Sequence, residues 1–243
     1  MPLTFRPPLR RTYMWLAAPL LALGLVSAAQ PRERAIKPGD ICVTNGALEK
    51  GSSGKLVVNT PSSRAVAKGA NDSVAAIRFE YLGPAAGETR LASGVVRRQL
   101  GVKLRAEDSC NVIYIMWGVE PQPGLIISMK VNEGKSTHAE CGVKGYKLVP
   151  ATFERPIAPI KAGEPRALAA NLDDRGKLTV RVDGEVAWEG QTFPTANKMY
   201  GYPGIRTDNV RMRFEWLGDD NAVPAARRSG RPAPKVACKK VQG

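Results

Sequence analysis

Residues 177–190, KLTVRVDGEVAWEG, contain the clearest secondary-structure signal in the chain. Apolar residues at positions 178, 180 and 182 alternate with polar ones, which is the period of a half-buried β-strand. Asp183 and Gly184 then separate this run from a second one. Both central residues of a type I′ turn need a positive φ, and an Asp-Gly pair adopts it readily. The stretch therefore predicts an antiparallel hairpin.

The same alternation continues on both sides of the hairpin. Residues 73–82, 95–106 and 210–217 each place apolar side chains on one face and polar ones on the other. Residues 111–119 are apolar on both faces, as in a strand covered on both sides, and residues 124–131 follow after a Pro-Gly break. About ten strands without a convincing helix predict an all-β fold, a two-sheet antiparallel β-sandwich.

Two strand segments also resemble each other. IRFEYLG at 77–83 recurs as MRFEWLG at 212–218. If the two segments are antiparallel neighbours, the Arg and Glu of each pair across the strands, and the fold is closed by its first and last long strands. Chance similarity between two alternating strands is the alternative.

The hairpin has a family likeness when it is taken with the segment after it. KLTVRVDGEVAWEG, followed after a loop by YGYPGIRTDNVRMRFEWLG at 200–218, is similar to the closing strands of concanavalin A-like, laminin-G-like jelly rolls. The resemblance implies a jelly-roll sandwich. It also implies three functional classes: carbohydrate-binding modules, secreted glycan-active enzymes and adhesion domains.

The net charge of +14 is unevenly distributed along the chain. Residues 1–34 carry five Arg against one Glu, and residues 221–243 carry six basic residues and no acidic one. Charge acts where it is clustered, and most of the excess lies outside the predicted sandwich. The composition therefore does not support nucleic acid as a partner.

The N-terminal residues have the three parts of a secretory signal. Arg6, Arg10 and Arg11 precede an apolar run at 14–26, and small residues follow at 27–29. The run is shorter than the roughly 18 residues of a membrane-spanning helix, so no stable membrane insertion is expected after cleavage. The predicted organisation is a signal peptide at 1–29, a linker at 30–40, a sandwich at 41–220 and a basic Pro/Ala/Arg-rich tail at 221–243. The predicted location is periplasmic or secreted.

The four cysteines agree with export, because disulfides persist in oxidising compartments. Three pairings are open. We favour Cys110 with Cys141 and Cys42 with Cys238, since the second bridge would tie the start of the fold to the tail. A zinc site is not expected, because the chain has no CxxC pair and His138 is its only histidine.

One predicted strand carries the richest polar stretch. Alternation places four side chains on one face, with Arg98 beside them: Arg97, Gln99, Lys103 and Arg105. Such a row of cations with a planar amide could hold carboxylate or sulfate groups. A solvated outer face, balanced by acids on the next strand, is the alternative. Tyr200 and Tyr202, in a loop, are candidates for stacking against a sugar ring.

Catalysis has weaker candidates. β-Elimination on a uronate needs a group that neutralises the carboxylate, a base and an acid. Arg98 or Gln99, with His138 and Tyr146, have side chains of those types. Jelly-roll alginate lyases carry RxE, QxH and YxKxG motifs that are absent here, and no ExDxxE spacing of hydrolase carboxylates occurs. Asp173 and Asp174 fit a turn better than a calcium loop, so no cofactor is expected.

The leading hypothesis is therefore an exported β-sandwich that binds a poly- or oligosaccharide, anionic rather than neutral, without catalysis. One alternative is a glycan-active enzyme, a lyase before a hydrolase. A second is a structural or adhesion module of the cell envelope. The sequence does not identify the sugar or the oligomeric state.

Overall fold

The computed structural model describes residues 33–91, 94–142, 145–219 and 234–242. The predicted signal peptide and most of the basic tail lie outside these residues. Within the described ranges, no helix combines the length and the apolar character needed to cross a membrane.

The described residues form sixteen strands and one α-helix, α1, at His138–Cys141. In chain order the strands are β1 Glu33–Ala35, β2 Ile41–Asn45, β3 Glu49–Lys50, β4 Leu56–Asn59, β5 Ser62–Ala67, β6 Val74–Pro84, β7 Arg98–Ala106, β8 Val112–Glu120, β9 Gly124–Lys130, β10 Tyr146–Leu148, β11 Ala151–Glu154, β12 Pro165–Leu172, β13 Lys177–Val182, β14 Glu185–Gln191, β15 Tyr202–Asp208 and β16 Val210–Asp219.

The strands make two antiparallel sheets. One sheet has nine strands in the order β11-β14-β13-β12-β6-β16-β4-β3, with β1 paired to β16. The other has seven strands in the order β10-β9-β8-β7-β15-β5-β2. Their inner faces share one apolar core, so the predicted all-β, two-sheet antiparallel sandwich is confirmed.

The hairpin predicted from the Asp-Gly pair joins β13 to β14. Asp183 and Gly184 both have positive φ, at 52° and 87°, as a type I′ turn requires. The apolar residues of β13 are buried against the second sheet, while its polar residues face outwards. Local turn chemistry and alternation therefore sufficed to predict this part of the fold.

The two similar segments are antiparallel neighbours in β6 and β16, as expected. Phe79 lies opposite Phe214 in the core. Arg78 pairs with Glu215 across the strands, with 3.7 Å between the charged groups. This pairing puts the first and last long strands at the centre of the nine-stranded sheet.

The core is filled from both sheets by side chains of alternating residues. Trp117 of β8 is fully buried, and its ring meets Phe79 edge-on at 5.8 Å between centroids. Nearly all of β8 is buried on both faces, as its uninterrupted apolar sequence predicts. The side chains of β8 that point to the outer face of the seven-stranded sheet are therefore buried as well. This outer face also carries polar side chains.

The C-terminal residues are fastened to the edges of both sheets. Cys42 of β2 is bonded to Cys238, and isolated bridges join Val43 to Lys239 and Glu49 to Gln242. The second disulfide joins Cys110 and Cys141. Both pairings match those predicted, and residues 234–242 lie against the sandwich.

Candidate functional site

Polar side chains gather on the outer face of the seven-stranded sheet, near its centre. They come from six strands, and we call them the basic cluster: Arg64, Gln99, Lys103, Tyr114, Lys130, Tyr146, Arg206 and Asp208. The cluster contains four cationic side chains and one carboxylate. Apolar residues of the same face surround it, among them Val66 and Met116.

A chain of hydrogen bonds runs through the cluster. The Gln99 Nε2 donates to Asp208 Oδ2 at 2.6 Å, and the Arg206 Nε donates to the same oxygen at 2.9 Å. Arg206 Nη1 also donates to the Tyr146 Oη at 3.2 Å. Because the phenol oxygen accepts this bond, its own proton remains available to a ligand.

Aromatic rings line the side of the cluster towards β9 and β10. The Arg206 guanidinium lies 5.0 Å from the centre of the Tyr114 ring, and the rings of Tyr114 and Tyr146 are 5.9 Å apart. Lys130 Nζ lies 4.8 Å from the Tyr146 ring and donates to the Ser109 carbonyl at 2.8 Å. These contacts hold both rings against charged groups.

Two glycines lie on the strands beneath the cluster, and their lack of side chains lets other groups approach the backbone closely. A Cβ at Gly204 would lie 2.4 Å from Lys103 Cε and 2.5 Å from the Ala65 carbonyl oxygen. A Cβ at Gly101 would lie 2.1 Å from the carbonyl oxygen of Ile115. Glycine inside a strand often marks a place where another group approaches the backbone closely. Here Lys103 takes that place over Gly204.

Burial and neighbouring charges set the protonation of the cluster. Burial opposes the charged form of Arg206, but the carboxylate of Asp208, together with Tyr114 and Tyr146, more than offsets it and raises the pKa of Arg206. Burial, reinforced by the charges of Arg64 and Arg206, lowers the pKa of Lys103 to about 7. Burial likewise lowers the pKa of Lys130 and raises that of Tyr114. Charge is therefore crowded here, with Asp208 as its main counterweight.

Two groups form the exposed side of the site. The side chain of Arg64 is 35% exposed. Among the described residues its charged partner is Asp208 Oδ1 at 3.9 Å, beyond hydrogen-bond range. His138, at the start of α1, is exposed. Partial desolvation and the charges of Lys130, Arg64 and Arg206 lower its pKa, which places the imidazole within the field of the cluster.

The structure brings together only part of the predicted row of cations. Gln99 and Lys103 face outwards in the cluster, but Arg105 does not. Arg105 has a φ of 48°, and the pairing of β15 with β7 shifts register beside it. Its guanidinium turns inwards and donates to the Ser73 hydroxyl at 3.1 Å and the Ala196 carbonyl at 2.8 Å. The prediction that Arg105 shares the face is wrong, because a bulge breaks the alternation.

The other predicted basic residues lie away from the cluster. Arg98 is held by Glu88, with hydrogen bonds of 2.6 and 2.9 Å, and pairs also with Glu120. Arg97 precedes β7, and its carbonyl accepts a hydrogen bond from the Asn209 side chain. Arg98 is thus balanced by carboxylates, as in the alternative drawn from the sequence.

The remaining candidates are also placed by the structure. Tyr202 begins β15 and packs, half-buried, on the apolar border of the same outer face, whereas the half-buried Tyr200 lies in the preceding loop. Asp173 Oδ1 accepts bonds from the backbone N–H groups of Arg175 and Lys177, which forms the turn before β13. Asp174 lies in the same turn. Among the described residues, no group of three His, Cys, Asp or Glu is arranged for a metal ion.

Sequence reasoning missed five members of the cluster: Arg64, Tyr114, Lys130, Arg206 and Asp208. A signal was present, since Gly204, Arg206 and Asp208 alternate along β15 and so share one face. Arg64 lies opposite Arg206 on the neighbouring strand. This cross-strand pair of cations depends on strand order, which the sequence does not state.

No protein-family model matches the chain, and no curated protein matches it in sequence. Solved structures do match in fold. A carbohydrate-binding module, CBM66 from Bacillus subtilis, superposes with a TM-score of 0.51 at 10% identity, covering 73% of this chain and 93% of the module. The fold is a concanavalin A-like jelly roll. The resemblance stated from the closing strands is thereby confirmed at the level of fold.

Two further matches have lower scores. A Bacillus subtilis protein of unknown function with a galectin-like fold has a TM-score of 0.47 at 11% identity, with 79% of this chain and 96% of that one covered. The alginate lyase AlyC3 also has a TM-score of 0.47 at 11% identity, with 71% and 77% covered.

Proposed function

We propose that this protein is an exported jelly-roll domain that binds an anionic saccharide on the basic cluster, without converting it chemically. The observation that carries the proposal is the uneven composition of the cluster, in which four basic side chains face one carboxylate. An anionic group on a sugar would supply the missing negative charge. Arg64 presents to it a partly exposed guanidinium that donates no hydrogen bond to any residue the structure describes. The carbohydrate-binding module of the same fold makes a saccharide a reasonable ligand class.

The composition of the face supports a sugar more than an isolated ion. Tyr114 and Tyr146 place rings beside the charges, and the Tyr146 phenol has a proton to donate. Sugar sites combine such apolar surfaces with a few oriented polar groups. The two disulfides fit an oxidising compartment.

An array of neutral, uronate-containing and sulfated glycans, probed at two salt concentrations, tests this function. The protein should bind acidic glycans and lose affinity as salt rises, because the attraction is electrostatic. Arg64→Gln should weaken binding by about tenfold or more, the value of one charge-assisted hydrogen bond. Arg181→Gln, at an exposed arginine of the other sheet, is the matched control. Binding of neutral glycans alone would contradict the proposal.

A lyase is the second candidate, because the cluster and the neighbouring His138 contain three of the residue types that β-elimination needs. Gln99 and Tyr146 are connected through Asp208 and Arg206, and His138 lies in the field of the same charges. Incubation with uronate polymers, followed by ultraviolet absorbance of the unsaturated product, tests it. An absorbance increase that disappears in Tyr146→Phe but persists in Tyr200→Phe would favour the lyase over simple binding.

A further inference from the structure

Lys103 occupies an unusual position within the basic cluster. It lies in the middle of β7, between Tyr114 of β8 and Gly204 of β15. The residue is only 5% exposed, and its aliphatic chain crosses the bare backbone of Gly204. Within the described parts of the chain, the Lys103 Nζ makes no hydrogen bond and no ion pair. A buried ammonium without a partner is unusual, because its desolvation is not offset.

The groups around Lys103 do not supply a counter-ion. The charges of Arg64 on β5 and Arg206 on β15 both act on Lys103, and both are cations. Lys130 of β9 lies two strands away on the same face and is also basic. The Asp208 carboxylate is already held by Gln99 and Arg206. Neutral or weakly basic groups complete the surroundings: Tyr114 of β8, Tyr146 of β10 and His138 of α1.

We propose that Lys103 and Arg64 together hold the acidic group of the saccharide, a carboxylate or a sulfate, and that Lys103 takes up one proton when this group binds. This inference rests on the proposed function. It adds which residues hold the acidic group and which residue is protonated when the group binds. The geometry supports it, because Lys103 and Arg64 lie on either side of β15 on one face, opposite Gly204 and Arg206. Within the described residues, neither side chain donates a hydrogen bond.

The proton uptake follows from the charges of the empty site. Burial and the two neighbouring arginines hold the pKa of Lys103 at about 7, so the amine is mostly neutral at pH 8. A bound anion stabilises the ammonium form and raises this pKa. Uronate and sulfate groups stay ionised throughout this range, since carboxyl groups titrate near pH 4. Affinity should therefore be constant below pH 7 and fall at higher pH, by up to about tenfold per pH unit.

Calorimetric titration at pH 6, 7, 8 and 9, in pairs of buffers that differ in ionisation enthalpy, measures both affinity and proton uptake. The probes are an oligogalacturonate, a sulfated oligosaccharide and a neutral one of the same length. The full chain should bind at least one acidic probe with uptake of about one proton at pH 8. Whichever acidic probe binds more tightly identifies the source of the anion.

Variants separate Lys103 from its neighbours. Lys103→Met keeps most of the side-chain volume, and it should weaken binding at pH 6 by about tenfold and remove the pH dependence above 7. Lys55→Met, at an exposed lysine before β4 of the other sheet, is the matched control and should behave as the unaltered protein. His138→Gln should keep the dependence, because the lowered pKa of His138 puts its titration at lower pH.

The outcomes distinguish the two proposals. Binding of an acidic probe without pH dependence, or unchanged binding by Lys103→Met, overturns the role of Lys103 and leaves the proposed function standing. Absence of binding to both acidic probes overturns the proposed function. In that case, NMR titration of Lys103 in the unaltered protein, with sodium acetate and sodium sulfate added, decides whether Lys103 belongs to an anion site. An increase in the pKa of Lys103 with either anion supports an anion site there, and an unchanged pKa overturns it.

Discussion

The outer faces of the two sheets differ in how their charged side chains are paired. On the nine-stranded sheet, β6 and β16 exchange ion pairs across the strands, with Arg213 Nη2 at 2.7 Å from Glu80 and Arg78 at 3.7 Å from Glu215. These side chains are in contact with solvent, and that of Arg78 is 58% exposed. On the seven-stranded sheet, cations outnumber carboxylates, and the Asp208 side chain is fully buried.

The difference shows which face is arranged for stability alone. Exposed pairs of opposite charge are screened by water and stabilise a fold by little, and they need nothing further. Buried charges of one sign oppose folding, because desolvation and mutual repulsion both act against them. The proposed anionic ligand would offset the excess of basic groups on the seven-stranded sheet.

The largest expected effect comes from removing the single carboxylate of the cluster. Asp208→Asn leaves Arg206 buried without its counter-charge and should lower the free energy of unfolding by about 3–5 kcal/mol. Glu215→Gln on the other sheet should lower it by about 0–1 kcal/mol. Urea unfolding followed by tryptophan fluorescence measures both. Equal losses would mean that the two faces are not different in kind.

A methyl group in the floor of the cluster should have the next largest effect. Gly204→Ala places a Cβ against Lys103 and the Ala65 carbonyl, and should lower the free energy of unfolding by about 1–3 kcal/mol. Gly39→Ala is the control, because a Cβ there meets nothing within 4 Å. If Gly204→Ala unfolds at the same urea concentration as Gly39→Ala, the floor is not tightly packed.

The pH dependence of stability isolates Lys103. Its pKa is about 7 in the folded chain and near 10.5 when unfolded, so between these values the unfolded chain binds more protons. The free energy of unfolding should therefore rise with pH in this window, by at most about 1.4 kcal/mol per pH unit. Urea titrations at pH 7, 8 and 9 measure the rise, which Lys103→Met should reduce. A rise of the same size in the variant would assign it to another group.

The smallest effect concerns the exposed pairs. A double-mutant cycle of Arg213→Met and Glu80→Gln should give a coupling energy of about 0.2–1 kcal/mol. A second cycle combines Arg213 with Glu185 of β14, which three strands separate from β16 in the same sheet. This cycle should give no coupling energy. A coupling of several kcal/mol for the first pair would place this face in the same class as the basic cluster.

Much of the fold could be predicted from local sequence. The Asp183–Gly184 turn follows from a pattern of a few residues. The pairing of β6 with β16 and the two disulfides were each one of several possibilities that the sequence left open. Only part of the candidate site could be predicted in this way. Gln99, Lys103 and Tyr146 have telling residue types, but Arg105 was misplaced because a positive φ at one residue reverses the side to which it points. Alternation predicts faces only while the register is unbroken.

By itself, the sequence determined the sandwich, since period-two alternation and turn residues act between neighbours along the chain. Strand order was decided by the tertiary structure alone. It places β5, β15 and β7 side by side, so that Arg64, Arg206 and Lys103 meet although they are far apart in sequence. Their proximity buries and crowds like charges, and that long-range effect turns ordinary basic residues into a candidate site for an anion.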